Sequence, residues 1–283
     1  MNRLLPAALL ALAIPASAQS FPKTVQQEAA QHAAEQKQTG TATAATPTIA
    51  PASSALEDRR KALNSLFDQI WQDRLKHDPE FASTIGDKRY NDQLTDYSVD
   101  AYNDELARGR DYIVQLGSID TTGMSDQEIL SRDLLVRQLV DQQEGAEFKP
   151  WETPVDQFNG IHSELPQLVS RLSFQTTKDY DDYTARLNKI PTAFEQVSAN
   201  MSTGIEDGRV PPKYLLEKVL VQVNAIATAK PADTPFARPL QKFPASIPAA
   251  DQERIKGEVL TAIEKQVIPA YQQFARFLKA TYI

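Results

Sequence analysis

Hydrolytic chemistry needs a base, a nucleophile or a Lewis acid, and this chain offers few sources of any. Cysteine is absent, which removes a thiolate nucleophile, a thiolate metal ligand and any disulfide. Histidine occurs three times, as His32, His77 and His162. His162 stands in "GIHSELP", two residues before Glu164, and the two side chains could both belong to a metal site. A zinc centre needs at least three protein ligands, and the second histidine one helical turn further on is missing. His77 falls at a helix end, where an imidazole beside terminal carbonyls is favoured on structural grounds. No serine stands in a G-x-S-x-G context, and no H-E-x-x-H occurs.

Carboxylates are plentiful, and paired acids can divide into general acid and general base when burial separates their pKa values. "KDYDDY" gathers Asp179, Asp181 and Asp182 in the first turn of a helix, where negative charge is favourable without any catalytic role. "GDKRYND" differs, because it joins Asp87, Lys88, Arg89 and Tyr90 in a short non-helical stretch after a glycine. Loops held by a helical scaffold often carry binding groups, so Asp87, Arg89 and Tyr90 are the candidates for a ligand groove. The competing reading is an Asp/Arg pair that fixes the loop. The residues assemble no complete catalytic, metal or cofactor site.

The elements that must position these groups are helical. From about residue 55 a 3.6-residue apolar period dominates, and no window alternates strictly between hairpin turns, so the chain is expected to be all-α, an irregular array of Pro- and Gly-broken helices. Ser54 is placed to cap a first helix whose stripe is Leu56, Leu63, Leu66, Phe67, Ile70, Trp71 and Leu75. Asp78 with Pro79 starts a short helix that Gly86 closes, and Ser98 starts another that ends before Gly117. Ser125 and Glu128 form a capping box ahead of a helix that Gly145 stops. The segment 148–168 reads as loop, with helix resuming near Pro166. Thr177 is expected to cap a stripe from Tyr180 to Ile205 that kinks or breaks at Pro191. "GIEDGRVPPKY" is a corner between helices, with Gly208 as left-handed cap and Pro211 and Pro212 setting the next start. Two helices remain, near 212–228 and 250–280, the last bent at Pro269.

Address comes from the N-terminus. Arg3 precedes an apolar run from Leu4 to Ile14 and then "PASAQS", which reads as a signal peptide over 1–18 cleaved between Ala18 and Gln19. Export to the periplasm or outside the cell is expected, with no transmembrane segment. Residues 19–54, rich in Ala, Gln, Thr and Pro, read as a disordered tether with a frayed helix near 24–37. Residues 55–283 read as one helical domain. The net charge of −7 becomes one unit more acidic once Arg3 leaves with the leader, and a nucleic-acid surface is not expected on that balance.

Three stretches, "HDPEFASTIGDKRYNDQLTDYS", "DYDDYTARLNKIPTAFEQVSANMSTGIEDGRVPPKYLLEKVLVQV" and "VIPAYQQFARFLKATYI", together resemble a bacterial family of exported proteins known as domain of unknown function family 885. That family looks distantly related to helical, thermolysin-like zinc metallopeptidases. The resemblance covers most of 56–283, and its most specific element pairs "RL..IP" with "G...GRVPPKY". It implies a longer protein whose zinc-binding H-E-x-x-H helix lies in the C-terminal half. No ligand or base transfers onto a residue here, so zinc is implied only for that other half. What transfers is a scaffold role: helices forming one wall of a peptide-binding cleft. The last helix reaches Ile283 on an apolar stripe without a cap, and the expectation is an N-terminal portion, truncated, inactive alone, with its missing C-terminal half as partner and a peptide as substrate. The alternative is a stand-alone exported helical domain that binds a ligand or a protein.

Overall fold

The computed structural model describes residues 52–283, with side chains from Ser54 onward. The leader, its cleavage point at Ala18 and Gln19, His32 and the tether up to residue 51 lie outside the described residues. Ten α-helices occur among the described residues, with no strand: α1 (Ala52–His77), α2 (Pro79–Thr84), α3 (Val99–Ser118), α4 (Asp126–Ala146), α5 (Ile161–Leu168), α6 (Thr177–Leu187), α7 (Ile190–Glu206), α8 (Lys213–Ala227), α9 (Ala249–Ala262) and α10 (Ile268–Thr281). None of them is long and apolar enough to cross a membrane.

Local signals set most of the boundaries. Asp78 accepts from the Phe81 amide at 3.0 Å and Ser98 from Ala101 at 3.2 Å, each satisfying an otherwise orphaned N–H. The Ser125/Glu128 capping box forms at the start of α4. Several expected boundaries move. Ser54 lies inside the first turn of α1, so the helix begins where the tether was expected to end. The cap of α6 is Thr176, in a capping box with Asp179, rather than Thr177. Gly117 and Gly145 sit inside the last turns of α3 and α4. The largest shift is α5, which starts at Ile161 and contains Pro166. Gly160, at φ 119°, turns the chain into it, and the Glu164 carboxylate accepts from the Gly160 amide at 3.0 Å.

Two prolines break helices by different routes. Pro191 falls in the first turn of α7, where a missing N–H costs nothing, so α6 and α7 are separated at Asn188 and Lys189. Pro269 follows a π-helical segment, Ile263–Val267, in which the Ile268 amide donates to the Ile263 carbonyl. A proline ring clashes with the carbonyl four residues earlier; widening the turn over these residues moves that carbonyl aside and lets α9 run on into α10.

Burial divides into two clusters. The smaller joins Leu63 and Leu66 of α1, Tyr112 and Leu116 of α3, Met124 of the turn before α4 and Leu139 of α4. The larger is built by α5 to α10 around Tyr183, Phe194, Phe236, Tyr271 and Phe274, whose rings meet edge-on or tilted at 4.8–6.1 Å for the pairs centred on Phe194 and Tyr271. Burying such side chains stabilises the fold by roughly 1.5–3 kcal/mol each. Leu130 and Leu134 of α4 face solvent, so the apolar pattern of that helix is wider than the core it covers.

The corner between α7 and α8 uses its two glycines differently. Gly208 takes φ 72°, the left-handed cap conformation. Gly204 lies within α7 against the 3₁₀ turn Pro150–Glu152, where a Cβ would stand 2.5 Å from the Glu152 carbonyl oxygen. Opposite effects are therefore expected at two helical glycines. Gly204→Ala should destabilise by roughly 1–3 kcal/mol through overpacking. Gly257→Ala in α9, where nothing lies within 4 Å of the added methyl, should stabilise by about 0.5–1 kcal/mol. Urea melts of both variants check the signs.

Candidate functional site

The loop between α2 and α3 brings Asp87, Arg89 and Tyr90 together. Gly86, at φ 89°, reverses the chain, and Asp87 caps a 3₁₀ turn over Lys88–Tyr90 by accepting from the Arg89 amide at 3.1 Å. Arg89 folds back onto that carboxylate, Nε lying 3.0 Å from both oxygens and Nη2 2.6 Å from Oδ2. Nη2 also donates to Gln72 of α1 at 2.7 Å, and the guanidinium lies 5.4 Å from the centre of the Tyr90 ring. Hydrogen bonds from the Arg89 side chain and amide hold the Asp87 carboxyl below its ordinary range. A carboxylate so held stays ionised at neutral pH and has no proton to give. Asp87 and Arg89 thus brace each other beside the Tyr90 ring.

A residue outside that trio holds the rest of the loop. Arg186 of α6 is 2% exposed. Its Nε donates to the Gln93 carbonyl at 2.7 Å, and Nη2 to Ser83 Oγ at 2.7 Å and the Tyr90 carbonyl at 2.9 Å. Its Nη1 is buried without a hydrogen bond. Burial lowers the guanidinium pKa, opposed by the charges of Glu80 and Asp92. Around this clamp Lys88 pairs with Asp179 at 2.7 Å, Lys189 with Gln93, Thr95 with Glu80 and the Tyr97 amide with Gln196 at 3.0 Å. The cavity beside Arg186, lined by Leu94, Leu165, Tyr183 and Phe236, measures about 10 Å³, far too small for a substrate. Arg186 acts as a pin.

The acids of "KDYDDY" are each committed. Asp179 accepts from the Gln175 and Thr176 amides at 2.8 and 2.9 Å; burial pushes its pKa up, but Lys88 and these amides outweigh it and leave it lowered. Asp181 pairs with Arg254 at 2.9 Å and Asp182 with Lys178. Glu152, 1% exposed, is flanked by Lys149 Nζ at 3.1 Å and Arg209 Nε at 3.2 Å. The Arg209 contact lacks hydrogen-bond alignment, leaving Oε2 without such a partner, and is an ion pair. Arg209 Nη1 donates to the Phe148 carbonyl at 2.6 Å, so the corner after Gly208 is tied to the 148–152 segment.

His162 lies in α5 as a buried side chain, 2% exposed, and not in a loop. Its Nε2 is 3.0 Å from Gln222 Oε1, while the Gln222 amide nitrogen donates to the Gln157 carbonyl at 3.1 Å. That leaves Gln222 only an acceptor to offer, which puts the imidazole proton on Nε2. Nδ1 is then a bare acceptor, buried and unpaired. Burial lowers the imidazole pKa, opposed by the Gln222 bond and the charges of Glu164 and Asp156. His77 ends α1 with Nδ1 2.8 Å from the Asp73 carbonyl. Among the described residues no group of three or more His, Cys, Asp or Glu is placed to hold a metal ion.

A family model described as "Bacterial protein of unknown function (DUF885)" matches residues 79–283. Among solved structures, the chain is similar to one from Colwellia psychrerythraea, provisionally described as a lipoprotein, with a TM-score of 0.63 and 16% sequence identity. The match covers 78% of this chain and 41% of that one, so this chain spans about two-fifths of the neighbour's length. At such identity the likeness is one of fold. A search of curated proteins finds no match.

Two outcomes test the buried polar groups. Replacing Arg186 by Met strands the Gln93 and Tyr90 carbonyls, and with roughly 1–3 kcal/mol for each unsatisfied group the loss should be several kcal/mol in a urea melt. His162 has a lowered folded pKa, so the unfolded chain binds its proton first. Its contribution is full above the unfolded value near 6.5 and is lost as pH falls from there through the lower folded value. Melting temperatures between pH 7.5 and pH 5 should drop less steeply in His162→Gln than in the parent.

Proposed function

Because this chain belongs to the bacterial DUF885 family of unknown function, we propose that it is the helical scaffold portion of an exported, zinc-metallopeptidase-like protein, forming one wall of a peptide-binding cleft. The carrying observation is length: the chain spans only 41% of the structure it resembles while 78% of its own residues take part. A partner segment corresponding to the rest of that neighbour supplies the metal site and closes the cleft.

The donor set here supports placing the metal elsewhere. His162 Nε2 is taken by Gln222 and its Nδ1 is enclosed, while His77 is fixed to the end of α1. The described carboxylates nearest to candidate chemistry are held by lysine, arginine or helix-start amides. These residues do not fit a zinc ion, and no catalytic step is routed through one. Export is supported by the charged, apolar and small-residue order of the first eighteen residues, in keeping with the description of the Colwellia psychrerythraea chain as a lipoprotein.

A second reading, a free-standing exported helical domain that binds a ligand, is favoured by an open groove between α6 and α9. The two separate on metal content and turnover. Purified chain should hold less than stoichiometric zinc by elemental analysis and leave a peptide library uncut, and adding the C-terminal part of a longer family member should restore both. Stoichiometric zinc with turnover by the chain alone would refute the scaffold reading. N-terminal sequencing of the periplasmic protein should begin at Gln19.

A further inference from the structure

The groove between α6 and the α9–π run has a volume of about 330 Å³, and its lining includes Asn188, Gly257, Glu258, Thr261, Lys265 and Gln266. Three features set it apart. Gly257 lines it as an exposed residue, and an added Cβ there would meet nothing within 4 Å. Any larger residue there would fill the space, and glycine is otherwise unfavourable in mid-helix. One wall is the π segment Ile263–Val267, a rare conformation that recurs at functional positions and that here carries Lys265 and Gln266. The polar side chains on the walls, exposed at Asn188, Thr261 and Lys265 and half-buried at Gln266, form no hydrogen bond or ion pair among the described residues.

The other charges in and around the groove, the lining carboxylate Glu258 included, are already matched. Arg254 Nη1 bridges Asp181 at 2.9 Å and Glu258 at 2.7 Å, and Lys256 pairs with Glu253 at 2.9 Å. Carbonyls at the end of α6 accept from the Asn188 and Lys189 amides, which blunts the negative end of that helix. Among the described residues that line the groove, Glu258 is paired with Arg254 and Lys265 is the charge left without an ion-pair partner, in a lining that also holds Asn188, Gln266 and Thr261.

We propose that this groove binds a small carboxylate, a free amino acid or the carboxyl end of a short peptide. The Lys265 ammonium meets the carboxylate in a charge-assisted hydrogen bond, and Asn188, Gln266 and Thr261 pair with the amide or amine beside it. The volume lies at the low end of small-ligand sites, which suits a ligand of this size. Binding needs neither zinc nor turnover, so it stands or falls separately from the scaffold reading.

Isothermal titration of the purified chain with Ala-Ala-Ala, with its C-terminal amide and with alanine tests the assignment. The free acid of the tripeptide or alanine, or both, should bind at millimolar concentration or below, and the better of the two identifies the source. The amide should bind at least about tenfold more weakly, a difference of ~1.4 kcal/mol. Lys265→Gln should weaken the acid by about the same factor. Gly257→Leu should abolish binding while its melting temperature stays at or above that of the parent, since the site has room. No binding of either free acid, equal binding of acid and amide, or unchanged binding by folded Gly257→Leu would each overturn the proposal.

Discussion

A backbone carbonyl covered by packing must find a donor, and in the α2–α3 loop one guanidinium supplies two of them. Arg186 comes from the larger core and reaches the Tyr90 and Gln93 carbonyls and Ser83, at the junction with the helices that hold the smaller core. Taking a charge out of water costs several kcal/mol unless its donors are matched. Arg186 has matched Nε and Nη2, and draws favourable fields from Glu80, Asp92 and Asp182 without touching any of them. Asn200 of α7 repeats the same solution at lower stakes by donating to the Tyr97 carbonyl at 2.7 Å, and Lys88 adds a side-chain ion pair to Asp179 of α6.

A second joint obeys the same constraint with opposite charge. Glu152 is a buried carboxylate held between Lys149 and Arg209, and Gly204 is small enough to let its backbone sit against α7. The sequence elements "RL..IP" and "G...GRVPPKY", both within the residues that the family model matches, thereby acquire physical content. Arg186 and Pro191 belong to the first, where the chain pins a loop and breaks a helix. Gly204, Gly208 and Arg209 belong to the second, where it turns a corner and ties it down.

What could be read from sequence was what depends on neighbours a few residues away. Asp78, Ser98 and the Ser125/Glu128 box announce helix starts because a cap bonds within three residues. Asp87, Arg89 and Tyr90 were recognisable as a cluster for the same reason. Thr176 and Thr177 share the same chemistry, so sequence leaves the cap of α6 uncertain by one position, and the structure puts it at Thr176. The start of α5 was missed because Pro154 and Pro166 look like breakers, whereas Gly160 and Glu164 start the helix between them. Arg186 carried no local signal at all: its partners lie 93 to 107 positions away. The groove was equally hidden, because α6 and α9 meet only in three dimensions, and the π turn that shapes it is signalled by nothing but Pro269.

The inequality of the two cores has a dynamic corollary. Six buried side chains hold the α1, α3 and α4 layer together, against the much larger aromatic-centred cluster of α5 to α10, and local opening free energy follows the number of buried contacts that must be released. Amide protons of α1, α3 and α4 can exchange through a partial opening that leaves the rest native.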